Sequence, residues 1–343
     1  MLSKMGKKNS QNLPEGKLPI RFLESILSSL ARGENVVSPS IGVDVGVVKI
    51  GSKYLVMSSD PITGAVSNMP WHAVHVSAND VATSGIMPRC LSLVSMFPSH
   101  TRSKEISSFM KETSTAAKSI GITISGGHTE ITPGLERPIV VVTCFGWGSR
   151  YVTSAMAKEN DSILMTKTAG IEGTSILANL SKVKRSLGKK TSASASKMIR
   201  QLSIVEDARL AFATNKVHAM HDTTEGGTIG ALAEMSLASN LGFELDAEKV
   251  PVNPITSRIC ALLKIDPLKL IGSGSLIIAC SKSDEEKVLR PVSSKRILCT
   301  KIGKFTNLQS GRIITKNGRK HRLATLSIQD ELWPILSKYG NLS

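Results

Sequence analysis

WHAVHVSANDVATSGIMPRCLSLV, residues 71–94, decides how the rest of the chain is read. Trp71, Val74, Ala78, Val81 and Ala82 recur at helical spacing, Gly85 and Pro88 stop the helix, and apolar alternation from Cys90 to Met96 reads as the next strand. The polar pair Asn79-Asp80 thus falls near a helix end, where a carboxylate can reach a metal. Such a pair also serves for plain local hydrogen bonding, so its weight comes from its neighbours.

Working outward, strands and helices alternate. LPIRFLESILSSLAR (18–32) reads as an amphipathic helix capping a domain, after a flexible start over 1–16. GVDVGVVKI and KYLVMSSD form a strand pair around Gly51-Ser52; helix 103–120 and strands 121–124 and 139–145 follow the opening unit. The pattern breaks in GWGSRYVTSAMAKEND (146–161), which separates an N-terminal α/β domain (17–150) from a second one (158–306). The second domain reads as strand SILMTKT, helix 171–180, a basic insertion, helix 196–214, strand 217–220, helix 228–239, helix 253–263, strand 275–280, helix 284–289 and strand 297–305. Residues 307–343 read as a C-terminal extension, a hairpin followed by an amphipathic tail.

A chain of 343 residues with 41% apolar content has room for about two packed domains. No run of about 18 apolar residues occurs, and MLSKMGKKNSQNLPEGK has charge but no apolar centre, so a cytoplasmic protein without a membrane span is expected. Cys90, Cys144, Cys260, Cys280 and Cys299 are widely spaced without a CxxC, as reduced core thiols are. The formal charge of +16 is concentrated in Lys4, Lys7 and Lys8, in KVKRSLGKK (182–190) and in TKNGRKHR (315–322), while aromatics make up only 4%. With no stacking platform, the charge argues for a solvated surface or attraction of anionic nucleotides rather than nucleic-acid binding.

Acidic and glycine-rich stations recur at element ends. Asp44 in IGVDVGVVKI and Asp60 in SSDPITG sit at strands that should be largely buried, where carboxylates are costly unless paired or metal-bound. In SGGHTEITPG (125–134), Gly126 and Gly127 would let backbone amides approach an anion beside His128, Thr129 and Glu130. HDTTEGGTIGALAEM (221–235) sets Asp222 just past a strand and Gly226-Gly227 at a helix N-terminus, a place that favours phosphate or a plain helix cap. His72/His75 and His218/His221 suggest a metal site, but His75 lies within an apolar set and satisfied core histidines are the simpler reading.

Taken in order, these segments resemble the superfamily of aminoimidazole ribotide (AIR) synthetase, selenophosphate synthetase, thiamine-monophosphate kinase and the hydrogenase expression/formation protein HypE, with a PurM-like fold. IGVDVGVV is similar to its IGDDAAV segment, SSDPITG to TTD, ANDVATSGIMPR to NDhAxxGAxP, SGGHTEITPG to GGxT, and HDTTEGGTIGALAEM to HDxTxGGhxxxLxE. GKLP near Gly16, TAGIEGTSILA (168–178) and VPVNPITSRICALLKIDPLKLIGSGSLIIAC are similar to the HypE branch, in an archaeal-type group. The resemblance implies two α/β domains, the first built on an antiparallel sheet that forms a dimeric barrel with a second copy and the second a C-terminal α/β sandwich. It implies ATP in a cleft between the domains or near the dimer interface, and Mg2+-dependent phosphoryl transfer to a small-molecule or protein-borne acceptor. Asp44, Asp60, Asp80 and Asp222 would be Mg2+ ligands; Gly126, Gly127, Thr129, Gly226 and Gly227 would contact phosphates. Asn79 would hold the loop or a nucleotide oxygen, with Asp80 and His128 catalytic.

Two departures qualify that expectation. Val43 stands where relatives carry the first of two aspartates, and His128 where they carry an acid, which thins the hard-oxygen set preferred by Mg2+. HypE carries its substrate on a C-terminal cysteine, and no cysteine follows Cys299 here, so hydrogenase-cyanide synthesis on its own tail is not expected. A thiamine-phosphate-kinase-like enzyme and a non-catalytic nucleotide-binding or scaffold dimer are the alternatives.

Overall fold

The computed structural model describes residues 18–31, 36–37, 39–62 and 68–340; the flexible start expected over 1–16 lies outside them. Helix α1 (Ile20–Leu27) is the first element among the described residues, shorter than the helix expected over 18–32. Its apolar stripe is only partly seated, with Phe22 and Ile26 exposed. Strands β1 (Val36–Val37), β2 (Gly46–Ile50) and β3 (Lys53–Ile62) precede helix α2 (Met69–Thr83), and β4 (Pro88–Phe97), α3 (Ser103–Ser119), β5 (Thr123–Ile131) and β6 (Ile139–Gly148) follow. They form a sheet of order β1-β2-β3-β6-β4-β5, antiparallel except for the β4–β5 pair.

One face of this sheet buries Val56, Leu91, Leu93, Val140, Val142 and Cys144 against α2 and α3. Strand alternation leaves the other face with half-buried Met57, Val94, Val141 and Phe145 and exposed Trp147. The glycine-rich segment expected to follow a strand ending at 124 instead continues that strand, as β5, to Ile131. A Cβ on Gly127 would lie 2.0 Å from the Leu93 carbonyl oxygen, so glycine here lets two strands approach rather than exposing amides at a turn.

Strand β7 (Ser162–Thr166) begins the second domain, followed by α4 (Ile171–Leu177), α5 (Ser181–Leu187), α6 (Lys189–Ser196), α7 (Val205–Ala213), β8 (Val217–Asp222), α8 (Gly227–Ser239) and β9 (Gly242–Asp246). After α9 (Pro254–Leu263), β10 (Leu276–Cys280), α10 (Glu285–Ser294) and β11 (Cys299–Thr306), the chain continues through β12 (Arg312–Lys316), β13 (Arg319–Arg322) and α11 (Leu332–Tyr339). The sheet order is β13-β12-β9-β11-β7-β10-β8. The stretch read as a separate extension belongs to this domain: β12 pairs parallel to β9, and Leu332 and Ile335 of α11 pack with Leu177, Val183, Ile259 and Leu263. The continuous helix expected over 196–214 is broken, because residues 202–204 are drawn out to bond α2 and the Lys167 ammonium.

Helix α2 is buried almost all round, since it packs on its own sheet with one face and on the second domain with the other. The Trp71 indole N–H donates to the Ile199 carbonyl at 3.0 Å, and Arg200 sits over the Trp71 ring. His72 Nδ1 lies 3.1 Å from Glu172 Oε1 on α4. Gly85, at φ +76°, ends the helix against the Phe212 ring, which a Cβ would meet at 2.3 Å. All five cysteines are free, as expected, and burial pushes the thiols of Cys144, Cys260, Cys280 and Cys299 up to about 12.

Candidate functional site

Four carboxylates that are far apart in the chain meet at the seam between the domains. Asp44 comes from the loop before β2, Asp60 from β3, Asp80 from α2 and Asp222 from the end of β8. Ser58 Oγ lies 2.7 Å from Asp80 Oδ2 and 3.0 Å from Asp60 Oδ2. One hydroxyl has a single proton to donate, so it can serve only one of these two carboxylates at a time. Burial, and then the charges of Asp60, Asp222 and Asp44, push the Asp80 carboxyl well above the ordinary carboxylate range. A group of hard oxygens that repel one another is the donor set a divalent cation neutralises, so these residues fit the metal expected from the sequence.

The second domain adds residues that the sequence reading did not place here. His221 is fully buried, its Nδ1–H donating to the Asp222 carbonyl at 2.7 Å. Its Nε2 stands 3.4 Å from Asp44 Oδ1 and 3.2 Å from Glu234 Oε2. Burial pulls the imidazole down, but Asp44, Glu234 and Asp222 more than reverse this and hold it at about 9. Glu234 also backs the Asp44 loop: a Cβ on Gly42 would lie 2.5 Å from its carbonyl oxygen, and Ser154 Oγ donates to the Gly42 carbonyl. Glu234 follows Gly227 by two helical turns, a spacing visible in the sequence but without meaning until α8 is placed beside the Asp44 loop. The other histidines singled out are structural: His72 faces Glu172, His75 stacks on Trp71, and His218 Nδ1 lies 2.9 Å from both Asp161 oxygens.

Several expected site residues lie elsewhere. Asn79 holds a loop: its Nδ2 donates to the Leu202 carbonyl at 2.7 Å and its Oδ1 accepts from Ile204 N–H at 2.9 Å, with nothing exposed. In register, Asp60 lies opposite Val142, Val142 opposite Leu93 and Leu93 opposite Gly127. Gly127 is thus three strand spacings from Asp60, about 14 Å. His128 lies in register with Val94 and points with it to the open face, where its Nε2 is 3.1 Å from Glu130 Oε2. Asp60 shares the opposite face with Ser58 and Val56. Within one chain, His128 and Asp80 are therefore on different sides of the sheet.

The Gly226-Gly227 station is enclosed. Gly226 N–H donates to Asp330 Oδ2 at 2.6 Å, and the Ile328 carbonyl closes over it, while Gly227 packs on the Leu268 and Leu270 carbonyls. A carboxylate from the last part of the chain thus holds the helix N-terminus where a phosphate was expected. Burial raises Asp330 to about 6 against the pull of the Leu332 and Gly226 amides. Between about pH 4 and 6 the folded protein holds a proton that the unfolded chain has released, so this group's contribution falls as pH rises through that window. Asp330→Asn should therefore gain on the wild type between pH 4 and 7, by at most about 3 kcal/mol, in paired urea titrations; a pH-independent difference would refute the assignment.

The family profile described as AIR synthase related protein, N-terminal domain, matches residues 42–147, and that for the C-terminal domain matches residues 158–316. The chain belongs to the AIR synthase related family. It is similar to a Methanocaldococcus jannaschii protein named for hydrogenase expression/formation, at 26% identity over 72% of this chain and 73% of that protein. The carbamoyl dehydratase HypE of Escherichia coli is 30% identical over 68% of this chain and 69% of its own length. Among solved structures, HypE in complex with ATP superposes with a TM-score of 0.69 at 21% identity, covering 91% of each chain. ThiL complexed with AMPPCP and TMP superposes with a TM-score of 0.71 at 16% identity, covering 89% of this chain and 94% of that one. The PurM-like two-domain fold read from the sequence is the fold found.

Proposed function

We propose that this AIR synthase related protein is an ATP-using enzyme in which Asp44, Asp60, Asp80 and Asp222 hold a divalent cation, Mg2+ in the simplest case, and that it transfers a phosphoryl group from ATP to a small-molecule or protein-borne acceptor. The observation that carries this reading is the meeting of the four aspartates from both domains, with Asp60 and Asp80 sharing the Ser58 hydroxyl. A cation bound there would neutralise charge developing on the phosphate oxygens. The chain's own work is positional: Ser58 orients Asp60 and Asp80, and Glu234 backs the loop that delivers Asp44. The likeness to HypE, one of whose structures holds ATP, supports the nucleotide.

The same proposal includes a homodimer. An open sheet face carrying Met57, Val94, Val141, Phe145 and Trp147 needs cover, and β5 is exposed along its whole length. Pairing two such faces would build the barrel expected from the family. His128, which faces that side of the sheet, would then lie in the interface between the copies.

Calorimetric titration of the purified protein with ATP, with and without Mg2+, tests the first part, and sedimentation tests the second. Magnesium-dependent binding by a particle of twice 36.7 kDa is expected. No nucleotide binding under either condition would leave a scaffold rather than an enzyme, and a monomer would remove the barrel.

A further inference from the structure

His221 has the surroundings of a metal ligand rather than of a core histidine. Its Nδ1 lies 2.7 Å from the Asp222 carbonyl oxygen, which can only accept, so the proton is on Nδ1 and Nε2 is the nitrogen turned inward. A ligating histidine is normally fixed in this way, with its second nitrogen donating to a backbone carbonyl or carboxylate. Nε2 itself is fully buried and makes no hydrogen bond of good geometry, although Glu234 Oε2 and Asp44 Oδ1 stand only 3.2 and 3.4 Å away. Neighbouring ligands around an octahedral ion with bonds of about 2.1 Å are roughly 3 Å apart. Spacings of this size are also those between ligands of one cation, which could stand where the proton now joins these groups. Donor atoms of Asp44, His221 and Asp222 all lie within 4.8 Å of one another, the only such group of three among the described residues.

We propose that His221 Nε2 is a nitrogen ligand of the cation held by Asp44 and Asp222, and that the site consequently selects a first-row transition ion, Mn2+ being the probe, over Mg2+. This rests on the reading that the seam carboxylates hold a cation. Magnesium binds oxygen donors and accepts an imidazole poorly, whereas Mn2+ and the later first-row ions take nitrogen and oxygen together. The two carboxylates flanking Nε2 stabilise positive charge there whatever carries it. Glu234 lies beyond the four carboxylates expected to bind the ion, and in this arrangement it either completes the shell or holds His221 in line.

The test uses the full chain loaded with Mn2+ or Mg2+ alone. Calorimetry should give Mn2+ an affinity at least about tenfold higher than that of Mg2+. Electron spin echo spectra of the Mn2+ form should show modulation from an imidazole 14N that disappears in His221→Gln. The wild-type spectrum decides the question even if that variant folds poorly. Mn2+ binding without nitrogen modulation, or equal affinities for the two ions, overturns the histidine ligand and leaves the carboxylate site standing. Failure of either ion to bind the wild type removes the cation site itself, and this inference with it.

Discussion

Asp80→Asn should melt at a higher temperature than the wild type when metal-free, and should gain nothing from Mg2+ and ATP. The substitution is isosteric, and the new amide oxygen can still accept from Ser58. What it removes is one of four converging negative charges, whose mutual repulsion the metal-free fold carries at a buried position. Relief of repulsion raises stability without any new contact. The wild type should recover the difference on binding, since ligand at about 100 times its dissociation constant contributes roughly 2.7 kcal/mol. Loss of a cation ligand should reduce phosphoryl transfer by about 10²-fold or more. Thermal melts of both proteins with and without Mg2+-ATP show the crossing directly. A variant that melts lower and still responds to the ligand would show that Asp80 is a structural carboxylate.

Asn79→Ala should be among the most destabilising single changes in the chain, at about 2–4 kcal/mol. It leaves the Leu202 carbonyl and the Ile204 amide buried without their partner, and each such group costs about 1–3 kcal/mol. Urea unfolding of the ligand-free protein measures this. Were Asn79 a nucleotide contact, ligand-free stability would be nearly unchanged and only ATP affinity would fall, so one pair of titrations separates the two roles.

What could be read from the sequence follows the range of the interactions involved. The opening helix and the strand after it were visible because helical spacing, Gly85 and Pro88 act locally. The four aspartates stood out because carboxylates at strand ends are costly alone, and the family resemblance put them in order. The direction in which a residue faces was not available. His128 sits in a glycine-rich segment that looks like a turn, and only pairing with β4 makes it a strand and sends the imidazole to the open face. Gly226-Gly227 has the composition of a phosphate loop, and only a carboxylate 104 residues later shows that the amide is taken. Glu234 was missed, and His221 was set aside as a core histidine, for the same reason, since their meaning depends on a loop from the other domain. Asn79 was legible as a polar residue at a helix end, but its two partners belong to a segment that reads as helix in the sequence.

The double packing of α2 also bears on how the chain folds. Thirteen of its residues are buried, and part of that burial is supplied by the second domain, including the surroundings of Trp71 and Asn79. A fragment ending near residue 150 would present that face to water, with a hydrophobic ring beside polar groups bonded to nothing. The two halves are therefore distinct in topology but form one cooperative unit, whose loss should appear as a single unfolding transition. Drift in this helix must satisfy two interiors at once, which makes it the least exchangeable part of the molecule.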